Sequence, residues 1–340
     1  MDELIKWYLD FQPFSEEENE LLSMGRTGEP EIVSDEQYLA LCQEYFNRMP
    51  FANVSIHDRN LVFDDSGTAL IEQVFEREVD DDTLVISTQY EHGSVRKCLE
   101  NCKNVLFVQS EQDIRSYKTK EIVQKTKGYK KVFVYIIGTQ LSTGEITPQN
   151  FYVELKKELE EHNVNFKIMI DDVHGMFLLP RDYSIYDYVL YTAHSLVPEY
   201  DMGMMITKED GYGIKAYNWA KEYLRRLDII LQNRYKMSLF KNIMIQYFSK
   251  LVADTSVFRL YSQTVDHIFS IETKGMKYTQ AEWDKLDSYK IRVSEHDNYM
   301  GFIRIRYQEF VRHPKEKALE GLKLLLKIIN KNLAINRMRE

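Results

Sequence analysis

The sequence predicts an α/β protein, with a mostly parallel sheet of the seven-stranded type flanked by helices and a small C-terminal α+β domain after it. Three observations carry this expectation. From Asn60 to Thr207, strand-sized apolar runs alternate with helical segments, the pattern of a parallel sheet with crossover helices. Residues 216–251 then change to uninterrupted helical periodicity. Beyond them, three strand-like segments and two helical ones follow without regular alternation.

In chain order, residues 1–55 read as an N-terminal helical arm. Ser34-Asp35-Glu36 starts a capped amphipathic helix with Tyr38, Leu41, Cys42 and Tyr45 on one stripe, which suits either core packing or a dimer arm. Residues 56–211 form the expected large domain. There LVFDD leads through Ser66-Gly67-Thr68 into ALIEQVFERE, TLVIST into SVRKCLEN, and NVLFVQ and VFVYIIG into FYVELKKELEEHN. FKIMI, YDYVLYT and GMMIT complete seven strand candidates. Residues 212–255 read as linking helices, and residues 256–340 as the small domain, with HIFSIE, YKIRV and FIRIRY as strands. In such a sheet, ligands bind at the carboxyl ends of the strands.

Composition narrows the function. A net charge of -9 argues against a nucleic-acid footprint and favours small-molecule chemistry. The longest apolar runs are strand-sized, so no membrane span is expected, and the acidic start MDELIKWYLDFQPF does not read as a signal peptide. A reducing cytoplasm is the expected compartment. Of the three cysteines, Cys98 and Cys102 lie one helical turn apart, which suits packing better than a zinc site, so no metal is expected.

Two polar clusters stand where strands end. Ser66-Gly67-Thr68 opens a helix: the glycine lets backbone amides approach an anion, the hydroxyls add donors, and the helix terminus favours negative charge, although a plain cap would read the same. Asp171 closes an apolar strand, where an ionised carboxylate needs a cation; a protonated ring nitrogen would serve, while helix capping or a salt bridge to an arginine would read the same. His174, three residues on, is within reach of the same ligand.

From about Asn60 to Lys331 the chain resembles the fold-type-I pyridoxal-phosphate proteins, the aspartate aminotransferase superfamily. DDSGTALIEQVF resembles the family's phosphate-binding turn. YEHGSVRKCLE resembles the E-H-x-A-V segment of cysteine desulfurases, and IDDVHG the D-D-x-H-G of α-oxoamine synthases and the D-E-x-H-G of some decarboxylases. The resemblance implies that Ser66, Gly67, Thr68 and Thr192 hold the phosphate of pyridoxal or pyridoxamine phosphate, that His92 lies over the ring, and that Asp171 and His174 meet the ring nitrogen and 3-oxygen. It further implies that Arg304, in FIRIRY, grips the carboxylate of an amino-acid-type substrate, with Arg306 as fallback on the same strand face. A homodimer is the oligomer it implies.

One position departs from the family. Its signature is T/S-x-H-K, with the lysine forming the Schiff base and a glycine eight residues later. Here Thr192-Ala193-His194-Ser195 is followed by Gly203, eight residues after Ser195, so serine stands at the lysine position. A serine hydroxyl cannot form an imine and is a weak base at neutral pH. Three accounts are open: noncovalent cofactor binding with altered chemistry in which His194 is an acid/base; a noncatalytic or regulatory partner of a lysine-bearing homologue; or a lysine removed to trap a substrate.

Overall fold

The computed structural model describes residues 2–49, 59–88, 91–108, 118–140, 143–253, 258–260, 264–273, 278–296 and 299–337. Residues 50–58 around the first expected domain boundary, and 254–257 around the last, therefore lie outside the described residues. The chain opens with helices α1 (Asp2–Asp10), α2 (Glu16–Ser23) and α3 (Asp35–Arg48). The central run is β1 (Asn60–Asp64), α4 (Gly67–Glu78), β2 (Thr83–Ser87), α5 (Gly93–Glu100), β3 (Asn104–Phe107), α6 (Thr119–Gln124), β4 (Lys131–Ile137), α7 (Gln149–Glu161), β5 (Phe166–Asp171), β6 (Tyr188–Thr192) and β7 (Gly203–Thr207). It continues with α8 (Tyr217–Gln232), α9 (Arg234–Val252), β8 (Phe258–Leu260), β9 (Ile268–Thr273), α10 (Gln280–Ser288), β10 (Ile291–His296), β11 (Tyr299–Arg306), α11 (Tyr307–Val311) and α12 (Lys315–Arg337).

Two compact units emerge. One comprises residues 24–141 and 146–227, the other residues 1–23, 142–145 and 228–340. The expected N-terminal arm is thus shared between them, and the unit boundary falls inside α8, within the segment read as linking helices.

The first unit holds a seven-stranded sheet in the order β1-β7-β6-β5-β4-β2-β3. The α/β expectation is met: five neighbouring strands from β6 to β3 pair in parallel, and only β7 runs against its neighbours β1 and β6. The reversal has a local cause, because residues 193–202 hold only a short 3-10 turn and no crossover helix long enough to bring the chain back. Every residue of β2, β6 and β7 is buried, as continuous apolar strands between helical layers require. Val62, Leu70, Val74, Phe75, Val95, Phe133 and Tyr135 belong to one core cluster on this sheet.

Sheet register brings several strand ends to one edge. Gly203 pairs with both Asp64 at the end of β1 and Thr192 at the end of β6, while Asp171 pairs with Ile137 at the end of β4. Gly203 is required there: an added Cβ would lie 2.4 Å from the Ser66 carbonyl, so only glycine lets β7 start against the first turn of α4. The second unit is built on a four-stranded antiparallel sheet, β10-β11-β9-β8, in which β8 is a strand the sequence reading did not anticipate. Among the described residues, no helix is long and apolar enough to cross a membrane.

Candidate functional site

The phosphate-type end of the candidate site is built on α4. Ser66 is its N-cap, accepting from Ala69 N–H at 3.2 Å, which leaves the first amides of the helix, those of Gly67 and Thr68, without intrahelical partners. Gly67 is packed so closely that a Cβ would meet Thr192 Cγ2 at 2.3 Å, so β6 and the helix terminus meet through a glycine. The Thr68 hydroxyl shares a 2.7 Å bond with Ser94, and Ser94 in turn meets His92 Nδ1 at 3.0 Å. The first turns of α4 and α5 are thereby tied together. His92 is exposed and serves as the N-cap of α5.

Buried oxygens without hydrogen-bond partners among the described residues occur near the same strand ends. Among the described residues, Ser87 Oγ at the end of β2, Glu91 Oε2, Thr139 Oγ1 beyond β4 and Thr192 Oγ1 at the end of β6 lack a hydrogen bond although their residues are at most 6% exposed. Unsatisfied polar groups so deep are costly unless a ligand or water answers them.

Asp171 lies on the same edge. Its carboxylate accepts from the Tyr135 hydroxyl at 2.8 Å and the Val173 amide at 3.2 Å. No cation among the described residues forms an ion pair with it. Burial pushes its pKa up to about 6, helped by the charge of Asp172 and opposed by the Tyr135 and Val173 donors. The arginine considered for this position pairs instead with the next residue: Arg181 Nε stands 3.0 Å from Asp172 Oδ1, with both side chains at most 2% exposed. Arg181 also donates to the carbonyls of Thr147 and Gly138, and the Tyr183 hydroxyl donates to Asp172 at 2.7 Å. Added Cβ atoms on Gly138 and Gly175 would strike Asp172 Oδ1 at 2.6 and 2.1 Å, so the turn closes around that carboxylate. His174 is buried in the same turn.

Thr192-Ala193-His194-Ser195 runs from β6 into the 3-10 turn. The Ser195 hydroxyl donates to the Thr192 carbonyl at 2.9 Å and is fully buried, whereas His194 is partly exposed with Nδ1 3.5 Å from Asp201. Arg304 belongs to the second unit, on β11, opposite Arg292 of β10 and Ser270 of β9. Burial first, then the charges of Arg306 and Arg292, push its pKa down to about 9 against the opposing charges of Glu309 and Asp287. Arg306, the fallback, is buried and lies 3.4 Å from Glu309.

Glu91, Tyr135 and the Asp172–Arg181 pair were not anticipated as site residues. Glu91 stands in the quoted YEHGSVRKCLE segment but was given no role there, and Tyr135 lies inside an apolar strand, so their contacts with the site emerge only from the tertiary fold. Cys98 and Cys102 pack against the core cluster, with Cys102 Sγ donating to the Cys98 carbonyl, and no metal-type group of three acidic, His or Cys residues occurs among the described residues.

No family model matches the chain, and no curated protein does. Solved structures do. A NifS-like protein from Rickettsia africae matches at TM-score 0.63 and 14% identity, covering 97% of this chain and 95% of its own. A pyridoxal-phosphate-bound C-S lyase from Staphylococcus hominis matches at 0.65 and 13%, covering 88% and 84%. A pyridoxal-phosphate-dependent aminotransferase from Streptococcus suis matches at 0.65 and 12%, covering 98% and 91%. The chain shares the fold of pyridoxal-phosphate-dependent aminotransferases and lyases over nearly its full length.

Proposed function

We propose that this protein binds pyridoxal or pyridoxamine phosphate noncovalently at the carboxyl edge of its sheet and handles an amino-acid-type carboxylate, with chemistry altered by Ser195 at the lysine position. The observation that carries the reading is Asp171, a buried carboxylate held by two neutral donors and by no cation among the described residues. A pyridinium nitrogen would supply the missing charge. The fit extends to the other end: Thr192 Oγ1 is buried without a partner, and the Gly67 and Thr68 amides lie at a helix terminus suited to a phosphate.

When bound, such a cofactor supplies an electron sink for carbanion chemistry at an amino acid. Asp171 would hold the ring nitrogen protonated, and Gly67, Thr68 and Thr192 would fix the phosphate. His174 and His92 are assigned to the ring 3-oxygen and ring face. Ser195 cannot provide covalent attachment, and its hydroxyl is already committed to the Thr192 carbonyl, so no base acts from that position. His194, partly exposed beside Asp201, is assigned the acid/base role. Arg304, among Arg292 and Arg306, is assigned to the substrate carboxylate. A cytoplasmic homodimer completes the reading.

The buried, internally bonded Ser195 also favours a second reading, a regulatory partner of a lysine-bearing homologue. Titration with pyridoxal phosphate separates the two. Cofactor binding predicts a new visible absorbance band, no mass adduct after borohydride, and an adduct at the new lysine in Ser195→Lys. No spectral change at millimolar cofactor would end the leading reading, and co-purification with a lysine-bearing homologue would favour the second.

A further inference from the structure

Glu91 is buried as deeply as the aspartates but answered differently. It is 2% exposed, and its Oε1 accepts from the Thr88 hydroxyl at 2.6 Å and the Ile137 amide at 3.3 Å. Among the described residues its Oε2 has no donor. An ionised carboxylate with one bare oxygen at that depth is strongly disfavoured, whereas a proton on Oε2 removes the charge. Ile137, whose amide holds Glu91, is the register partner of Asp171, so the two carboxyls belong to neighbouring strand ends. Among the described residues the charge that bears on Glu91 is that of Asp171 from β5, and Glu91 in turn raises the buried phenols of Tyr135 on β4 and Tyr152 on α7. Arg96 of α5 donates to the Glu91 backbone carbonyl at 3.2 Å, and no cation among the described residues ion-pairs with the carboxylate.

We propose that Glu91 is the proton-holding partner of Asp171, a neutral acid near neutral pH that leaves Asp171 as the one negative charge available to a cationic ring. The proposal rests on the reading of Asp171 given under Proposed function. Burial, then the charge of Asp171, push Glu91 up to about 8 against the donors at Thr88 and Ile137. Ionisation of Glu91 would set a second negative charge near Asp171; a positive ring beside Asp171 would offset that repulsion and lower the pH at which Glu91 ionises. Glu91 acts through Asp171 and is a positioning residue.

Infrared titration of the protein without cofactor tests the proton. The wild type should show the carbonyl stretch of a protonated, buried carboxyl at neutral pH, lost with a midpoint near 8 and missing from Glu91→Gln. A wild-type spectrum without that band, or an unchanged band in E91Q, overturns the proposal; the wild-type titration decides even if the variant fails to fold. Saturation with pyridoxal phosphate tests the coupling, with an expected fall in midpoint of about one pH unit. An unmoved midpoint in a protein whose absorbance shows bound cofactor overturns the link to Asp171. Absent absorbance change would instead sink the cofactor reading and the ring assignment with it, while the first titration still stands on whether Glu91 holds a proton.

Discussion

Asp171 and Asp172 are consecutive, both at most 3% exposed, and both raised in pKa by burial, yet the fold treats them oppositely. Asp172 meets Arg181 at 3.0 Å and is wrapped by Gly138 and Gly175. Among the described residues, Asp171 meets only the Tyr135 hydroxyl and the Val173 amide. The pair teaches how to read a buried carboxylate: an internal cation marks a structural anchor, and the lack of one marks a place where something else brings the charge.

The sharpest way to break the contrast is to remove the anchor. Arg181→Met leaves Asp172 buried with Tyr183 as its side-chain donor, and should destabilise the fold by about 3–5 kcal/mol in urea unfolding. A loss as small as a surface substitution would show that the ion pair is not what closes the turn. Asp171→Asn should do the reverse for stability. Its folded pKa, up to about 6, exceeds the unfolded value, so its contribution is fully present below the unfolded pKa and is lost as pH rises towards 6. The wild type should therefore lose up to ~3 kcal/mol more than the variant across that window. Matching urea midpoints at every pH would refute the assignment of that slope to Asp171. The smallest effect concerns the phosphate-type end: Ser66→Ala removes the cap of α4 and should cost about 1 kcal/mol, with weaker cofactor binding as its second readout.

The strand ends that frame the candidate site were legible in the sequence, for identifiable reasons. The seven strands are short apolar runs between helical segments, and Ser66, Gly67, Asp171 and Gly203 stand at their ends, where chain order alone places ligand-binding positions. The fold explains the glycines physically: Gly67 and Gly203 are where α4, β6 and β7 touch. What sequence could not show is pairing across distance. The Tyr135 hydroxyl reaches Asp171 from another strand, 36 residues away. The Ile137 amide reaches Glu91 across 46 residues, and neither follows from periodicity. The choice of Asp172 over Asp171 by Arg181 depends on which way a turn closes. The antiparallel course of β7 escaped notice because its connection from β6, though short, was read only as a second polar cluster.

The central claim is that Asp171 is the counter-ion of a protonated pyridine ring. Its most direct test is the nitrogen chemical shift of isotopically labelled pyridoxal phosphate bound to the wild type and to Asp171→Ala. The account predicts a protonated ring nitrogen in the wild type and an unprotonated one in the variant, with the phosphate signal shifted alike in both. The same ring-nitrogen shift in the two proteins would contradict it.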